Sequence, residues 1–313
     1  MKDKTLYLLL LIFVATSCRA EGVEGSRGDE MFSLVQSPEI PEEVVFADET
    51  VSFDRYDLRE RMDRELISFC YMHSTTLLMI KRANRYLPEV ERILREEGLP
   101  DDFKYLMLIE SNCNPLSVSG VGAAGLWQFM PATAREYGLE VSSTVDERYH
   151  IEKSTRAACA YLRDAYRKTG CWFAAAASYN AGQGGIVKQM QRQDAATALD
   201  IYLNSETSRY MFRIMAAKVI LSEPERYGFC FRPDQLYPPF DYTVVMVDTA
   251  VADWALWAKQ HKITYAQLRD ANPWIRSHEL VNKSGKRYEI RILTEKFIRY
   301  DIDDIRCLLP HCR

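Results

Sequence analysis

Helical periodicity over the middle of the chain is the feature that most restricts its fold. From about Tyr56 to Gly98 the apolar residues recur at spacings of three, four and seven, and helical patterns continue to about Tyr227. Gly and Pro interrupt these patterns only briefly. We therefore predict one mostly α-helical domain at residues 56–228.

A different pattern follows a Pro-rich connector at residues 232–240. Strand-like and helical segments alternate there in the order Tyr242–Val247, Thr249–His261, Thr264–Ala271 and Arg287–Leu293. This order predicts a small βααβ module at residues 241–295, present once, with a C-terminal tail at 296–313. The predicted fold class is thus mainly α, with a helical domain followed by this module.

Composition excludes several classes of protein. The 313 residues are 47% hydrophobic and 27% charged, which is typical of a globular chain and not of a disordered or collagen-like one. The formal net charge of −4 argues against a non-specific nucleic-acid binder, so no nucleic-acid partner is expected. The sequence has no CxxC motif and no Cys/His cluster, so a zinc site is not expected. No other metal and no organic cofactor is expected either.

The N-terminus has the features of an export signal. Lys2 and Lys4 precede an apolar run at residues 6–15 that is too short to span a membrane, and small residues lead to Cys18. This ending looks like a bacterial lipobox, which predicts a signal peptide at residues 1–17 and lipidation of Cys18. The alternative is an ordinary secretory signal with a coincidental Cys. Residues 18–55 are predicted to be a linker, since they lack a sustained period.

Cysteine usage leaves the pairing open. Eight Cys minus the lipidated Cys18 leave an odd number, so at least one stays unpaired within the chain. Cys307 and Cys312 are close enough in sequence to close a small loop, and the others lie within helical patterns, where a buried small hydrophobe is the default interpretation.

Glu110 is the candidate catalytic acid. It shares a helical face with apolar residues, and desolvation on such a face raises the pKa of a carboxyl, as a general acid near neutral pH requires. Taken alone, a solvated Glu at a helix end is the commoner interpretation, because Asn114–Pro115 soon stop the helix.

The segment Gly120–Pro131 changes that balance. Its small residues, including Gly125, allow close approach of backbone to a ligand, and Trp127, Gln128 and Phe129 offer apolar faces and an amide suited to a sugar. The segment also contains GxGxxG, but no strand precedes it, so a dinucleotide site is disfavoured.

Two further motifs follow, Ser178–Gly182 and Glu206–Tyr210. Tyr179 and Tyr210 in these motifs fit either a binding cleft or a half-buried core, the commoner fate of Tyr.

Four motifs in this order and spacing, ESxxNP, GAAGLWQFMP, ASYNAG and ETxxY, resemble the soluble lytic transglycosylase family over about residues 87–221. The resemblance implies a goose-type lysozyme-like helical domain that cleaves the β-1,4 bond between N-acetylmuramic acid and N-acetylglucosamine. By this resemblance Glu110 matches the catalytic acid/base, and the cleft is lined by Ser111, Gln128, Tyr179, Asn180 and Tyr210. Cys113 departs from the family pattern, which has an apolar aromatic there more often.

One carboxylate would act twice in this reaction. Most glycosidases use two, but Asp146 and Glu147 look like structural caps. Glu110 would protonate the glycosidic oxygen, the 2-acetamido group would stabilise the oxocarbenium-like centre, and the resulting carboxylate would deprotonate the C6 hydroxyl to form a 1,6-anhydro product. This carbon–oxygen lyase reaction consumes no water, a point that rests on the resemblance.

The βααβ module resembles a LysM module, a class that binds glycans containing N-acetylglucosamine. Val247 stands where Gly is usual and Ala250 where Leu is usual, so retention of the fold is a firmer expectation than glycan binding.

The partners expected from these features are peptidoglycan strands and, through the lipid anchor, a membrane. A monomer is expected, facing the periplasm from the outer membrane of a Gram-negative bacterium. The alternatives are a hydrolytic muramidase with the same Glu110, and a non-catalytic peptidoglycan-binding lipoprotein.

Overall fold

The computed structural model describes residues 35–195, 197–202 and 205–312. The predicted signal peptide at 1–17 and the predicted lipidation site Cys18 lie outside these residues. The helices of the main body are α1 (Tyr56–Tyr71), α2 (His73–Glu96), α3 (Phe103–Ser111), α4 (Pro131–Glu136), α5 (Ile151–Thr169), α6 (Trp172–Ala181), α7 (Gln183–Gln193) and α8 (Ser205–Ser222). The predicted mainly helical fold is confirmed. Within the described residues, no helix has both the length and the apolar composition to cross a bilayer.

Helix α3 lies at the centre of the core. It is mostly apolar, its Lys104 pairs with Glu91 of α2, and every residue in it except Glu110 is buried. A helix without a polar face is stable only when other helices surround it, and here α2 and α8 pack against it. The sequence predicted only one apolar face, so the central position of α3 is a finding of the structure.

A β-hairpin precedes α1, within the stretch that the sequence predicted to be a linker. Strands β1 (Glu43–Phe46) and β2 (Glu49–Ser52) pair antiparallel. The Phe46 side chain is fully buried and contacts the rings of Phe103 and Phe173. The linker prediction is therefore wrong for the hairpin residues, because two four-residue strands are too short to give a sustained period.

Two acidic residues lie at the start of α3. The Asp102 side chain accepts a hydrogen bond from the backbone N–H of Ala47 at 2.8 Å and pairs with Lys218, instead of capping the helix. Asp101 pairs with Lys104. Asp102 thus ties α3 to the hairpin and to α8, whereas the Asp101 contact lies within the start of α3.

The C-terminal module has the predicted βααβ order. Strands β3 (Tyr242–Val247) and β4 (Tyr288–Leu293) pair antiparallel, with Tyr242 opposite Leu293, and enclose α9 (Trp254–Gln260) and α10 (Tyr265–Ala271). Trp254 is the fully buried centre of its core. The predicted LysM-like fold is confirmed.

The C-terminal tail is folded against the helical domain. It begins with α11 (Glu295–Ile298), and the amide of Leu308 donates to the side chain of Asn84 in α2 at 2.6 Å. Cys307 and Cys312 form the disulfide that closes the small loop. The other cysteines of the described residues are free: Cys70, Cys113, Cys159, Cys171 and Cys230.

Candidate active site

Glu110 lies in the last turn of α3, at the point where the buried helix ends. Asn112 and Cys113 adopt left-handed backbone conformations directly after it, with φ of 49° and 54°. Such residues cannot continue a right-handed helix, so the chain turns away. The Glu110 side chain is therefore carried on a rigid helix and remains partly exposed, while its neighbours along α3 are buried.

Tyr210 of α8 contacts this carboxyl directly. Its Oη donates a hydrogen bond to Oε1 of Glu110 at 2.5 Å, and the Tyr210 side chain is only 4% exposed. Burial, followed by the negative charge of Glu110, raises the pKa of Tyr210 well above its usual value. The phenol consequently keeps its proton and acts as a donor to Glu110.

Tyr179, at the end of α6, is the second phenol of the site. Burial and then the charge of Glu110 raise its pKa well above the usual value, so it too is neutral. Its Oη donates to the backbone carbonyl of Trp127 at 2.8 Å. This bond joins α6 to the segment Gly120–Pro131.

Gln128 is held in that segment by its amide. Nε2 donates to the carbonyls of Gly125 at 2.8 Å and Ser117 at 3.1 Å, and the residue adopts a left-handed φ of 48°. Within the described residues, Oε1 of Gln128 accepts no hydrogen bond, so it remains available to a ligand donor.

Two aromatic residues of the segment belong to the core. The Trp127 ring is fully buried, and its Nε1 donates to Thr155 at 2.8 Å. The Phe129 side chain is 3% exposed and packs edge-on against Tyr179. The expectation that these rings offer apolar faces to a sugar is therefore wrong, because both are covered by the helices behind the segment.

Gly125 is required by packing within the protein. A Cβ on this residue would lie 2.0 Å from the carbonyl oxygen of Arg148, and its φ of 82° is one that other residues rarely adopt. The close approach predicted for Gly125 is thus made by the Arg148 backbone. Contact of Gly125 with a sugar stays a prediction.

Ser111 and Asn180 complete the predicted set. The buried Ser111 hydroxyl turns back to the carbonyl of Met107 at 3.4 Å. The partly exposed Asn180 accepts a hydrogen bond from Thr207 through Oδ1 at 2.8 Å. The structure joins Glu110 to Tyr210 and joins Tyr179 to the segment Gly120–Pro131, whereas Ser111 hydrogen-bonds its own helix.

Asp146 and Glu147 are structural, as predicted. Both are buried, Asp146 pairs with Arg148, and Glu147 pairs with Lys153 and Lys286.

Arg148 and Tyr161 contribute to the site but were not predicted from the sequence. Arg148 donates to the carbonyls of Gly122 at 2.7 Å and Phe129 at 3.0 Å, and Tyr161 packs edge-on against Tyr179. Arg148 follows Asp146 by two residues, and this DxR spacing could have indicated an ion pair between them. Tyr161 has no comparable signal, because it lies within the ordinary periodicity of α5.

Comparison with known proteins gives two domain matches and several relatives. The profile of the transglycosylase SLT domain matches residues 90–201, and that of the soluble lytic transglycosylase C-terminal LysM-like domain matches residues 243–296.

Two relatives illustrate the similarity. The chain is 31% identical over 176 residues to membrane-bound lytic murein transglycosylase D of Escherichia coli (strain K12), covering 55% of this chain and 38% of that protein. It is 27% identical over 199 residues to membrane-bound lytic murein transglycosylase C of Yersinia enterocolitica serotype O:8 / biotype 1B, covering 56% and 54%. The chain thus spans well under two thirds of either relative. From these matches, the chain has a transglycosylase SLT domain at residues 90–201 and a soluble lytic transglycosylase C-terminal LysM-like domain at residues 243–296.

Proposed function

We propose that this protein is a peptidoglycan lytic transglycosylase that cleaves the β-1,4 bond between N-acetylmuramic acid and N-acetylglucosamine and leaves 1,6-anhydromuramic acid ends. The observation that carries the proposal is the contact of Glu110 with Tyr210 at the end of a buried helix. A carboxyl oriented by a neutral phenol and partly open to solvent is a suitable proton donor for a glycosidic oxygen. The SLT domain match and the names of the two relatives support the same reaction.

The proposed reaction needs only one acid. Glu110 transfers its proton to the bridging oxygen as the bond from C1 of the muramic residue to that oxygen breaks, and the 2-acetamido group stabilises the cationic centre. The Glu110 carboxylate then takes the proton of the C6 hydroxyl as O6 bonds to C1. One C1–O bond is broken and one is formed, Glu110 regains the proton that it gave, and no water is consumed.

The ion pairs of Asp146 and Glu147 favour this one-acid route. Hydrolysis with two carboxylates requires a second, available acid on the opposite side of the scissile bond. Asp146 and Glu147 are buried in ion pairs with Arg148, Lys153 and Lys286, so neither is available for such a role.

Substrate positioning is assigned to the remaining predicted residues. Oε1 of Gln128 and the partly exposed amide of Asn180 are suited to hydroxyl and acetamido groups of the sugar. Tyr210 orients the carboxyl of Glu110, and Tyr179 holds the segment Gly120–Pro131 through the carbonyl of Trp127. Ser111 and Gly125 stay proposed substrate-binding residues, whereas the buried Phe129 supports the backbone of the site.

The proposed setting is the bacterial cell wall. Lipidation of Cys18 would anchor a monomeric enzyme at the outer membrane, facing the periplasm, with peptidoglycan within reach. Two domains are proposed with it: the transglycosylase domain at residues 56–228, on which the hairpin at 43–52 packs, and the LysM-like module at 241–295.

The test is product analysis with the full chain on purified peptidoglycan. Mass spectrometry distinguishes anhydro ends from hydrolysed ends by the mass of one water molecule. We expect anhydro products, and Glu110→Gln should lower their rate of formation by about 10²–10⁴-fold. Glu60→Gln, the same substitution at an exposed position of α1, is the control and should retain activity. Hydrated ends would identify a muramidase, and sacculus binding without any product would identify a binding protein.

A further inference from the structure

The LysM-like domain is joined to the helical domain by a short antiparallel pairing of backbone. Val145 faces Ile275, the Asp146 amide donates to the carbonyl of Trp274 at 2.9 Å, and the Arg276 amide donates to the carbonyl of Thr144 at 2.9 Å. We call residues 140–150 the interdomain segment. Backbone pairing of this kind fixes its position more closely than side-chain contacts alone, because each hydrogen bond is directional.

Side chains of the LysM-like domain hold the same segment. Lys286 pairs with Glu147 at 3.0 Å and with Glu140 at 2.6 Å, and Tyr288 donates to Glu140 at 3.0 Å. The ring of Trp274 stacks on His150. The interdomain segment is thus fixed at both ends by the LysM-like domain.

Arg148 connects this segment to residues 115–130, which we call the cleft loop. Its guanidinium pairs with Asp146 at 2.7 Å and donates to the carbonyls of Gly122 and Phe129. Arg148 is 8% exposed and Asp146 6%, so both charges are desolvated and depend on each other. The two carbonyls lie on either side of Gly125–Gln128, and one guanidinium therefore holds the two halves of the loop together.

The cleft loop also contributes to the hydrophobic core of the LysM-like domain. Ala124 is fully buried in the same cluster as Trp254, Trp274 and Ile275. Its amide donates to the carbonyl of Phe129 at 3.1 Å. The loop that presents Gln128 thus packs on the LysM-like domain on one side and on the transglycosylase core on the other.

Gln128 is the residue that needs such support. A left-handed φ costs a non-Gly residue roughly 1–2 kcal/mol, and a strained residue of this kind persists only where its surroundings hold it. The hydrogen bonds of Gln128 are made to the cleft loop itself, at Ser117 and Gly125. They keep their geometry only while the loop does.

We propose that the LysM-like domain is a positioning element of the active site: through Trp274, Asp146 and Arg148 it fixes the cleft loop and so places Gln128 at the substrate. Asp146 and Arg148 are positioning residues, since neither is assigned a contact with substrate. The part of this inference that concerns catalysis rests on the proposed function, whereas the part that concerns loop order does not.

The experiment compares Arg148→Lys with Arg291→Lys in the full chain. Arg148→Lys keeps the positive charge but removes the planar guanidinium, whose several N–H groups reach Asp146 and two backbone carbonyls at once. Arg291 is the matched control: it is a buried arginine of the same interface, but it pairs with Glu89 of α2 and does not lead to the cleft loop. Both variants are measured at a temperature well below their unfolding midpoints.

Two readouts are needed. We expect Arg148→Lys to increase amide hydrogen exchange in residues 122–129 by at least about tenfold and to lower kcat/KM by a similar factor. Arg291→Lys should leave both within about twofold of the wild type. Equal effects of the two variants on loop exchange and on kcat/KM would overturn the proposal.

A second variant protects the test against misfolding. Asp146→Asn keeps an acceptor for the Arg148 amide but removes the buried negative charge. We expect it to increase hydrogen exchange in residues 122–129 and to lower kcat/KM, both by less than Arg148→Lys does. If the wild type makes no anhydro product, the proposed function fails, but hydrogen exchange still decides whether Asp146 and Arg148 fix the cleft loop. Unchanged exchange in both Arg148→Lys and Asp146→Asn would reject the proposal.

Discussion

Tyr210 donates a hydrogen bond to the carboxyl of Glu110 at 2.5 Å, although 100 positions separate the two residues in the sequence. The contact joins α8 to the end of α3. Because α8 lies beyond residues 90–201, the matched SLT segment does not itself contain this donor. The candidate active site is therefore completed by a helix outside the residues that the SLT profile matches.

Removing this phenol tests its role. Tyr210→Phe keeps the ring but deletes a hydrogen bond to a charged group, a bond worth about 1.5–3 kcal/mol, and we expect kcat to fall by roughly 10- to 100-fold with KM changed less than about threefold. Tyr227→Phe is the control, since Tyr227 is also buried but donates to the backbone of Glu39. Wild-type kcat in Tyr210→Phe would contradict the assignment.

Gly125→Ala tests the close packing behind the cleft loop. The added Cβ would lie 2.0 Å from the Arg148 carbonyl oxygen, and the backbone would keep a left-handed φ. We expect the free energy of unfolding to fall by roughly 2–4 kcal/mol, measured by urea denaturation. Gly120→Ala has open space around its Cβ and should change stability by less than about 1 kcal/mol. Similar losses in both variants would argue against the observed packing.

The buried His150 predicts a pH dependence of stability. Burial, then the positive charges of Arg291 and Lys153, lower its pKa from 6.5 to about 3, against the opposing charge of Glu147. Between these values the unfolded chain binds more protons, so stability is complete above about pH 6.5 and falls as the pH decreases towards 3.

The expected size of this effect is about 2 kcal/mol between about pH 7 and pH 5. His150→Asn keeps a side-chain acceptor at the start of α5, where His150 accepts from the Lys153 amide, but removes the titration. Urea unfolding of both proteins at the two pH values measures the difference. An equal pH effect in the variant would show that His150 is not its source.

Phe46→Ala tests whether the N-terminal hairpin is part of the helical domain. Phe46 is fully buried against Phe103 at the start of α3, and we expect the variant to lose about 3–5 kcal/mol of unfolding free energy. Val45→Ala, at a neighbouring position that is 43% exposed, should lose less than about 1 kcal/mol. A single cooperative transition in thermal unfolding, shifted only by Phe46→Ala, is the expected observation.

Local pattern alone was sufficient for the helical class and for the βααβ order of the C-terminal module, and the four ordered motifs made Glu110 the candidate acid. Helical periodicity depends on residues three and four positions apart, and each motif is a contiguous segment. Both can therefore be recognised in the sequence alone. The same local signals could not reveal the hairpin around Phe46, whose strands are too short for a period.

Only the tertiary structure decided which side chains meet. The chain places Tyr210 on Glu110, buries Trp127 and Phe129 that the sequence had offered to a sugar, and sets Arg148 between the cleft loop and the LysM-like domain. Each of these outcomes depends on desolvation and hydrogen bonding between segments far apart in the chain. The physical reason is that the burial of a side chain depends on which segments pack around it in the folded core. The residues adjacent to it in the sequence do not determine that packing.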